Sequence, residues 1–305
     1  MPPDTPRSTD HPPVCDYEGS DYQQRFWEQG ERQYEDRVEA IAIRRLLPKG
    51  GKLLLEVGAG AGRNTPRYTG FERIVLMDYS TTQLEQAQQR LGTGGRYTYV
   101  AADAYKLPFV DGLFDTATMI RVIHHMADAP RALAQVRQIL QPGGIFLLEY
   151  ANKRNLKAIV RYWLKKQEWD PFGQAPVEFV PLNFDFHPKA MKRWLQGNKF
   201  AIERQLTVSH FRMEWAKRIL PLGLLVNLDS IFQYTGALWQ YTPSVFVRSR
   251  ASGVSPLAKQ GAFFKCPECE AALPEVQNDA LHCPGCGRRW GMKNGIYNFK
   301  GALKS

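Results

Sequence analysis

The sequence predicts an α/β fold built on a doubly wound, mostly parallel seven-stranded sheet, and three features carry the prediction. Short apolar runs of strand length alternate with helical segments from residue 52 to residue 150. The first run, 52–57, passes directly into glycines at alternate positions, Gly58, Gly60 and Gly62, as a buried strand does when its backbone must turn tightly. Three acids, Glu56, Asp78 and Asp103, each fall at the carboxyl end of a successive predicted strand. That edge is where open α/β sheets bind ligands.

In chain order, residues 17–47 space Phe26, Trp27, Tyr34, Val38, Ile41, Ala42 and Leu46 near a helical repeat, and Pro48-Lys49-Gly50-Gly51 ends that helix. After the first strand a short helix begins near Arg63 or Asn64. A turn at Thr69-Gly70 precedes a second strand at 73–77, and 81–91 reads as a helix. Residues 97–100 and 114–120 supply the third and fourth strands. An amphipathic helix at 131–140 is closed by Pro142-Gly143-Gly144 before a fifth, buried strand at 145–150.

By themselves the glycines fit either a tight strand-to-helix turn or a ligand cradle. A dinucleotide fingerprint would require glycine at position 63, which is Arg, so the spacing argues against a nicotinamide enzyme. Glu56 favours a ligand nearby, because a carboxylate ending an apolar strand is costly without a hydrogen-bond partner. Asp78 lies 20 residues beyond Gly58, the separation at which an acid takes a ribose diol, and it also suits a helix N-cap together with Ser80.

The segments LLEVGAGAGR, VLMDYS, AADAYKLPFVDGLFDTATMIRVIHHM and RALAQVRQILQPGGIFLLEY occur in this order between residues 54 and 150. Together they resemble the class I S-adenosylmethionine-dependent methyltransferases, in particular the group related to quinone-biosynthesis C-methyltransferases. The resemblance implies a Rossmann-like methyltransferase fold and S-adenosylmethionine as cofactor. It places Glu56, Gly58, Ala59, Gly60 and Gly62 around the methionine part and Asp78, with Tyr79 beside it, at the ribose. Asp103 and Ala104 then meet the adenine, and the backbone at Arg121 lies beside the amino acid end. It further implies a helix at 187–195, a sixth strand at 200–208 and a last, antiparallel strand at 244–248. Residues 152–186 and 210–242 become insertions, either a cover for the substrate or packing and dimer elements.

With the methyl group already on a sulfonium, such an enzyme must mainly align the acceptor and exclude water. A base is needed only where the acceptor loses a proton. His124 and His125 are candidates by position, a structural role at the strand end being the other reading, and Tyr150 ends the fifth strand on the acceptor side. No Asn-Pro-Pro-Tyr-like motif follows the fourth strand, which argues against amino-methyltransferases of nucleic-acid bases.

Four of the five cysteines form two Cys-x-x-Cys knuckles, Cys266/Cys269 and Cys283/Cys286, suited to a closed tetrahedral site for structural zinc, with a rubredoxin-like iron centre as the alternative. A tail of this size needs such a staple, with Phe263, Leu273, Leu281, Trp290, Ile296 and Phe299 as a small cluster around it. The implied organisation is a disordered lead at 1–16, a methyltransferase domain at 17–251, a linker at 252–260 and a zinc-ribbon-like domain at 261–305.

Net charge is +10 and unevenly spread. Residues 151–250 hold sixteen Lys and Arg against seven Asp and Glu, among many aromatic residues. Such a region suits nucleic acid, an anionic membrane surface or an acidic substrate, or is simply a solvated face over an aromatic core. No apolar run reaches the roughly 18 to 20 residues of a membrane span, and residues 1–13 lack a signal-peptide core, so a cytoplasmic protein is expected. The functional expectation is methyl transfer to a small or medium organic acceptor at carbon, oxygen or nitrogen. RNA is the alternative acceptor, and a non-catalytic cofactor-binding scaffold, docking proteins through the ribbon, is the alternative role.

Overall fold

The computed structural model describes residues 12–15, 18–19, 32–254, 256–274 and 279–303. Five parallel strands, β1 (Gly51–Val57), β2 (Phe71–Asp78), β3 (Tyr97–Ala101), β4 (Phe114–Met119) and β5 (Leu140–Ala151), run in the order β3-β2-β1-β4-β5. Beyond β5 come two antiparallel neighbours, first β9 (Ser244–Ala251) and then β8 (Phe200–Val208). These are the seven expected strands. β5 begins earlier than the apolar run because Leu140 already pairs with Phe114 across an irregularity in register.

The strand period of two sets the layers. Leu55, Val57, Val75 and Met77 face one core together with α3 (Ala129–Ile139) and α5 (Pro188–Gly197). Leu54, Ile74 and Leu76 face the other core with α1 (Gln33–Leu46), α2 (Thr81–Leu91) and α7 (Leu222–Phe232). Each such side chain, fully removed from water, contributes about 1.5–3 kcal/mol. The expectation for residues 20–31, including Phe26 and Trp27, lies outside the described residues.

Caps explain where helices start. Ser80 Oγ accepts from the Gln83 amide at 3.2 Å to open α2, so Ser80 is its N-cap and Asp78 is not. Asp128 accepts from the Arg131 amide and Pro130 sits in the first turn, which starts α3 ahead of the expected residue 131. The expected short helix after the glycines is one 3-10 turn, Thr65–Arg67.

The first insertion contains α4 (Leu156–Trp163) and a hairpin of β6 (Val177–Val180) and β7 (Asn183–Asp185). The second contains α6 (Glu214–Ile219) and α7.

The cysteine-bearing tail does not stand apart, as a separate small domain behind a linker would. Its strands β10 (Ala280–His282), β11 (Arg289–Lys293) and β12 (Ile296–Asn298) continue the main sheet, because β12 pairs in parallel with β3, making ten strands in all. Phe264, Leu273, Leu281, Trp290 and Phe299 belong to the same core as Phe109 and Phe114, with Phe263 partly buried against it. The tail thus borrows an existing core rather than building one around a metal. Pro256 and Ala258 are also held down, since a Cβ on Gly112 would sit 1.9 Å from the Pro256 carbonyl oxygen and the Ala258 amide donates to the Gly112 carbonyl at 3.2 Å.

Candidate active site

The carboxyl ends of β1 to β4 open onto a cleft of about 950 Å³, including its open mouth. Gly58 has φ +69° and lies so close to the turn after β4 that a Cβ would meet Val122 Cγ2 at 2.1 Å. Only glycine fits both conditions. The Gly58 and Ala59 amides both donate to the Met77 carbonyl, at 2.7 and 2.9 Å. Next, the Gly60 amide donates to Asp78 Oδ2 at 2.8 Å, while the Ser80 amide donates to Oδ1 at 2.9 Å. Asp78 therefore clamps the glycine turn to the end of β2. An ionised carboxylate accepts up to about four hydrogen bonds, so this anchoring is compatible with a diol on the same group.

Of the residues singled out from the sequence, Gly58, Ala59, Gly60, Asp78, Tyr79, Ala104, Arg121 and His125 line the cleft. Glu56 stands behind it. Its side chain is buried against Thr65 Oγ1 (2.6 Å) and Tyr68 OH (2.9 Å), and burial pushes its carboxyl up to about 7 against the lowering effect of those two donors. Gly62, at φ +73°, packs toward Leu91 and Ala87 of α2. Asp103 is buried and accepts from the Tyr105 amide at 2.8 Å, shaping the loop whose Ala102 and Ala104 form the wall.

Arg121 is in the left-handed region, φ +63°, uncommon for a non-glycine residue and most frequent at functional sites. Its amide donates to Glu149 Oε2 at 3.0 Å, and Glu149 Oε1 accepts from Ser244 at 2.6 Å. The Arg121 guanidinium pairs with Glu39, which also takes Arg63 at 2.9 Å. Despite complete burial, those two cations hold the Glu39 carboxyl below its ordinary value. Sequence reading missed this bridge, because Glu39 looks like one more polar position on α1. It also missed Asn64, Gln83, Val122 and Met126 on the wall, and Val14 and Cys15, which come from the segment assigned to the lead.

The two histidines have different surroundings. His125 Nδ1 lies 3.0 Å from the Leu182 carbonyl in the β6–β7 connection; with Nδ1 as donor, the acceptor lone pair of the neutral ring is on Nε2. Burial lowers its pKa despite that contact. His124 packs against it, ring centroids 4.1 Å apart, and is driven much lower by burial and then by His125 and Arg121. Tyr150 is buried with its hydroxyl donating to Gln240 at 3.0 Å, off the cleft wall, and its pKa is raised by burial and by Glu149.

A glycine cradle, an acid at the end of β2 and a left-handed residue after β4, all around one cleft, point to an adenosine cofactor, and the comparisons agree. Residues 55–148 match the family model described as a methyltransferase domain. This part of the chain is a class I methyltransferase domain. It is 34% identical over 128 residues to the O-methyltransferase cnsE of Penicillium expansum, covering 39% of this chain and 46% of that protein. It is also 34% identical over 114 residues to the ubiquinone/menaquinone biosynthesis C-methyltransferase UbiE of Paracoccus denitrificans, covering 35% and 45%. The chain thus spans about half the length of the curated relatives it matches. The S-adenosylmethionine-dependent methyltransferase of Mesorhizobium loti superposes with a TM-score of 0.52 at 21% identity, covering 70% of this chain and 97% of that one, and shares the fold. The methyltransferase domain therefore has relatives that methylate oxygen and others that methylate carbon.

At the far edge of the sheet, one ligand atom from each of Cys266, Cys269, Cys283 and Cys286 lies within 4.8 Å of all the others. Two of the separations are 3.7 Å (Cys266–Cys286) and 3.3 Å (Cys269–Cys283). Zinc–sulfur bonds of about 2.3 Å in a tetrahedron require sulfurs about 3.8 Å apart, so the group fits the ion. No helix among the described residues is long and apolar enough to cross a membrane.

Proposed function

We propose that the chain transfers the methyl group of S-adenosylmethionine to a small or medium organic acceptor. The observation that carries this reading is the single cleft shared by the Gly58–Gly60 turn, Asp78, the Ala102–Ala104 wall and left-handed Arg121. Gly58 to Gly60 would hold the methionine part, Asp78 the ribose hydroxyls and the Asp103-braced loop the adenine. Glu56 acts at one remove, fixing Thr65 and Tyr68 behind the turn. The bound cofactor supplies an activated methyl group on a positively charged sulfur.

The protein's own part is orientation and exclusion of water. Arg63 and Arg121, locked to Glu39, keep two walls of the cleft rigid. His125, neutral near pH 7 because burial lowers its pKa, takes a proton from acceptors that must lose one. His124, packed against it, supports that ring. The four cysteines would hold structural zinc; four thiolates close the coordination sphere and leave no position for substrate.

Calorimetric titration tests the cofactor site: Asp78→Ala lowers affinity for S-adenosylmethionine at least tenfold, and unchanged affinity would show the site to be misplaced. Transfer of labelled methyl groups into fractionated lysate then identifies the acceptor, and label in RNA would favour the RNA reading.

A further inference from the structure

The first insertion carries a surface that the cleft does not use. Along α4 and the residue after it, Leu156, Val160 and Leu164 recur every fourth position with Trp163 beside them. All are exposed, Leu156 at 60%, Trp163 at 69% and Leu164 at 59%. Only Ala158 and Ile159 of this helix are buried. Immediately adjacent runs a second stripe, Lys157, Arg161 and Lys165, and from 153 to 166 there are six Lys or Arg and no acid. Across a shallow groove from Lys157 lie Met213, Arg218 and Ile219 of the second insertion, Ile219 being 72% exposed. The Leu156 amide bonds the Tyr241 carbonyl at 2.7 Å, joining the patch to the segment that also exposes Trp239. α4 follows β5 after a few residues, so the patch lies at the same end of the sheet as the cleft.

We infer that this face docks on an anionic lipid surface. Exposed aliphatic side chains flanked by Lys and Arg, with Trp at the boundary, are the composition of a helix lying in a membrane interface, where apolar atoms enter the acyl boundary and cations meet headgroups. Leu156, Val160, Leu164 and Ile219 are aliphatic and neither stack on bases nor hydrogen-bond them, which favours an acyl boundary over RNA even though Trp163 and the cations suit either. Two copies of the chain meeting through it would bring like charges together. Docking holds the mouth of the cleft near the bilayer, where apolar acceptors concentrate. The docking itself does not depend on the methyltransferase reading.

Sedimentation with vesicles tests it using the full chain. Vesicles of phosphatidylcholine with 30% phosphatidylglycerol, about that fraction being ample for a negative surface, bind the protein at least about tenfold better than pure phosphatidylcholine. Lys165→Glu with Lys166→Glu removes this preference, and Trp163→Ser with Leu164→Ser lowers binding to both vesicle types. Near-ultraviolet circular dichroism and retained S-adenosylhomocysteine binding establish that these surface variants are folded. Equal binding to both vesicles, or binding unaffected in both double variants, overturns the proposal. So does self-association in the absence of vesicles that Trp163→Ser abolishes, or salt-sensitive RNA binding with no vesicle binding.

Discussion

Replacing Gly58 by alanine tests how the cleft is built. At φ +69° an alanine costs about 1–2 kcal/mol in backbone strain alone. The new Cβ also falls 2.1 Å from Val122 Cγ2, where ordinary contact begins at 3.4 Å, so something must move by more than an ångström. Overpacking of that kind adds about 1–3 kcal/mol. Val122 and Arg121 are both cleft wall, hence the displacement reaches the cleft as well as the core. Gly95 provides the control, with φ +65° and no heavy atom within 4 Å of a Cβ. Equilibrium urea unfolding should show Gly58→Ala losing about 2–5 kcal/mol and Gly95→Ala about 1–2 kcal/mol. Titration with S-adenosylhomocysteine should show at least tenfold weaker binding for Gly58→Ala and none of that loss for Gly95→Ala. If the two variants behave alike in both measurements, the turn does not set the cleft wall and the reasoning fails.

Glu56→Gln should change the dependence of stability on pH. A carboxyl raised to about 7 from an ordinary 4.5 makes the folded state hold its proton more tightly, so the native chain loses stability as pH rises from 4.5 to 7, by about 3 kcal/mol. Thermal midpoints of Glu56→Gln relative to the native chain should therefore rise between pH 5 and pH 8; a constant offset would show that the carboxyl is not buried as described. His125→Gln should lower turnover about a hundredfold or more for an acceptor that loses a proton, with cofactor affinity unchanged. His124→Gln should act mainly on thermal stability, and stopped-assay rates with melting curves separate the two. Metal analysis should find one zinc per chain, and chelation or Cys283→Ser should cost about 4 kcal/mol or more of stability. Because the tail shares the main core, melting should shift as one transition, and a separate early transition would contradict that packing.

The alternation of apolar runs and helices placed the five parallel strands, because a buried strand writes its burial directly into consecutive residues, whereas the two antiparallel strands were placed by the family resemblance. Phe200–Val208 is found where the resemblance puts it, and α2 spans the expected 81–91. The cleft was legible where a backbone demand selects the residue, as at Gly58, or where an acid ends an apolar strand, as at Asp78. It was less legible where partners come from distant segments. Glu56 and Asp103 carry the same strand-end signature as Asp78, yet one braces Tyr68 and the other its own loop. Nothing in Ile120-Arg121-Val122 announces a left-handed arginine, because its conformation depends on Glu149 from β5 and Glu39 from α1.

The tail shows most clearly what spacing cannot encode. Two cysteine knuckles specify a metal site, but a three-residue strand such as β12 has too little pattern to announce its partner. Its pairing with β3 runs through Asn298 opposite Ala101, and the Phe299 amide then donates to the Ala101 carbonyl at 2.7 Å. Just beyond, Ala102 and Ala104 form the cleft wall. Lys300 Nζ lies 5.2 Å from the Tyr79 ring centroid, beside Asp78, and 3.0 Å from Glu18, whose carboxylate accepts from the Thr81 and Thr82 amides at the start of α2. The four-cysteine module is thus joined by backbone and by charge to the β2 end and α2 start that border the cleft. An edge strand with unpaired amides would otherwise border that wall. By covering it, the tail gives the Ala102 and Ala104 side of the cleft the rigidity that the Glu39 bridges give the Arg63 and Arg121 side.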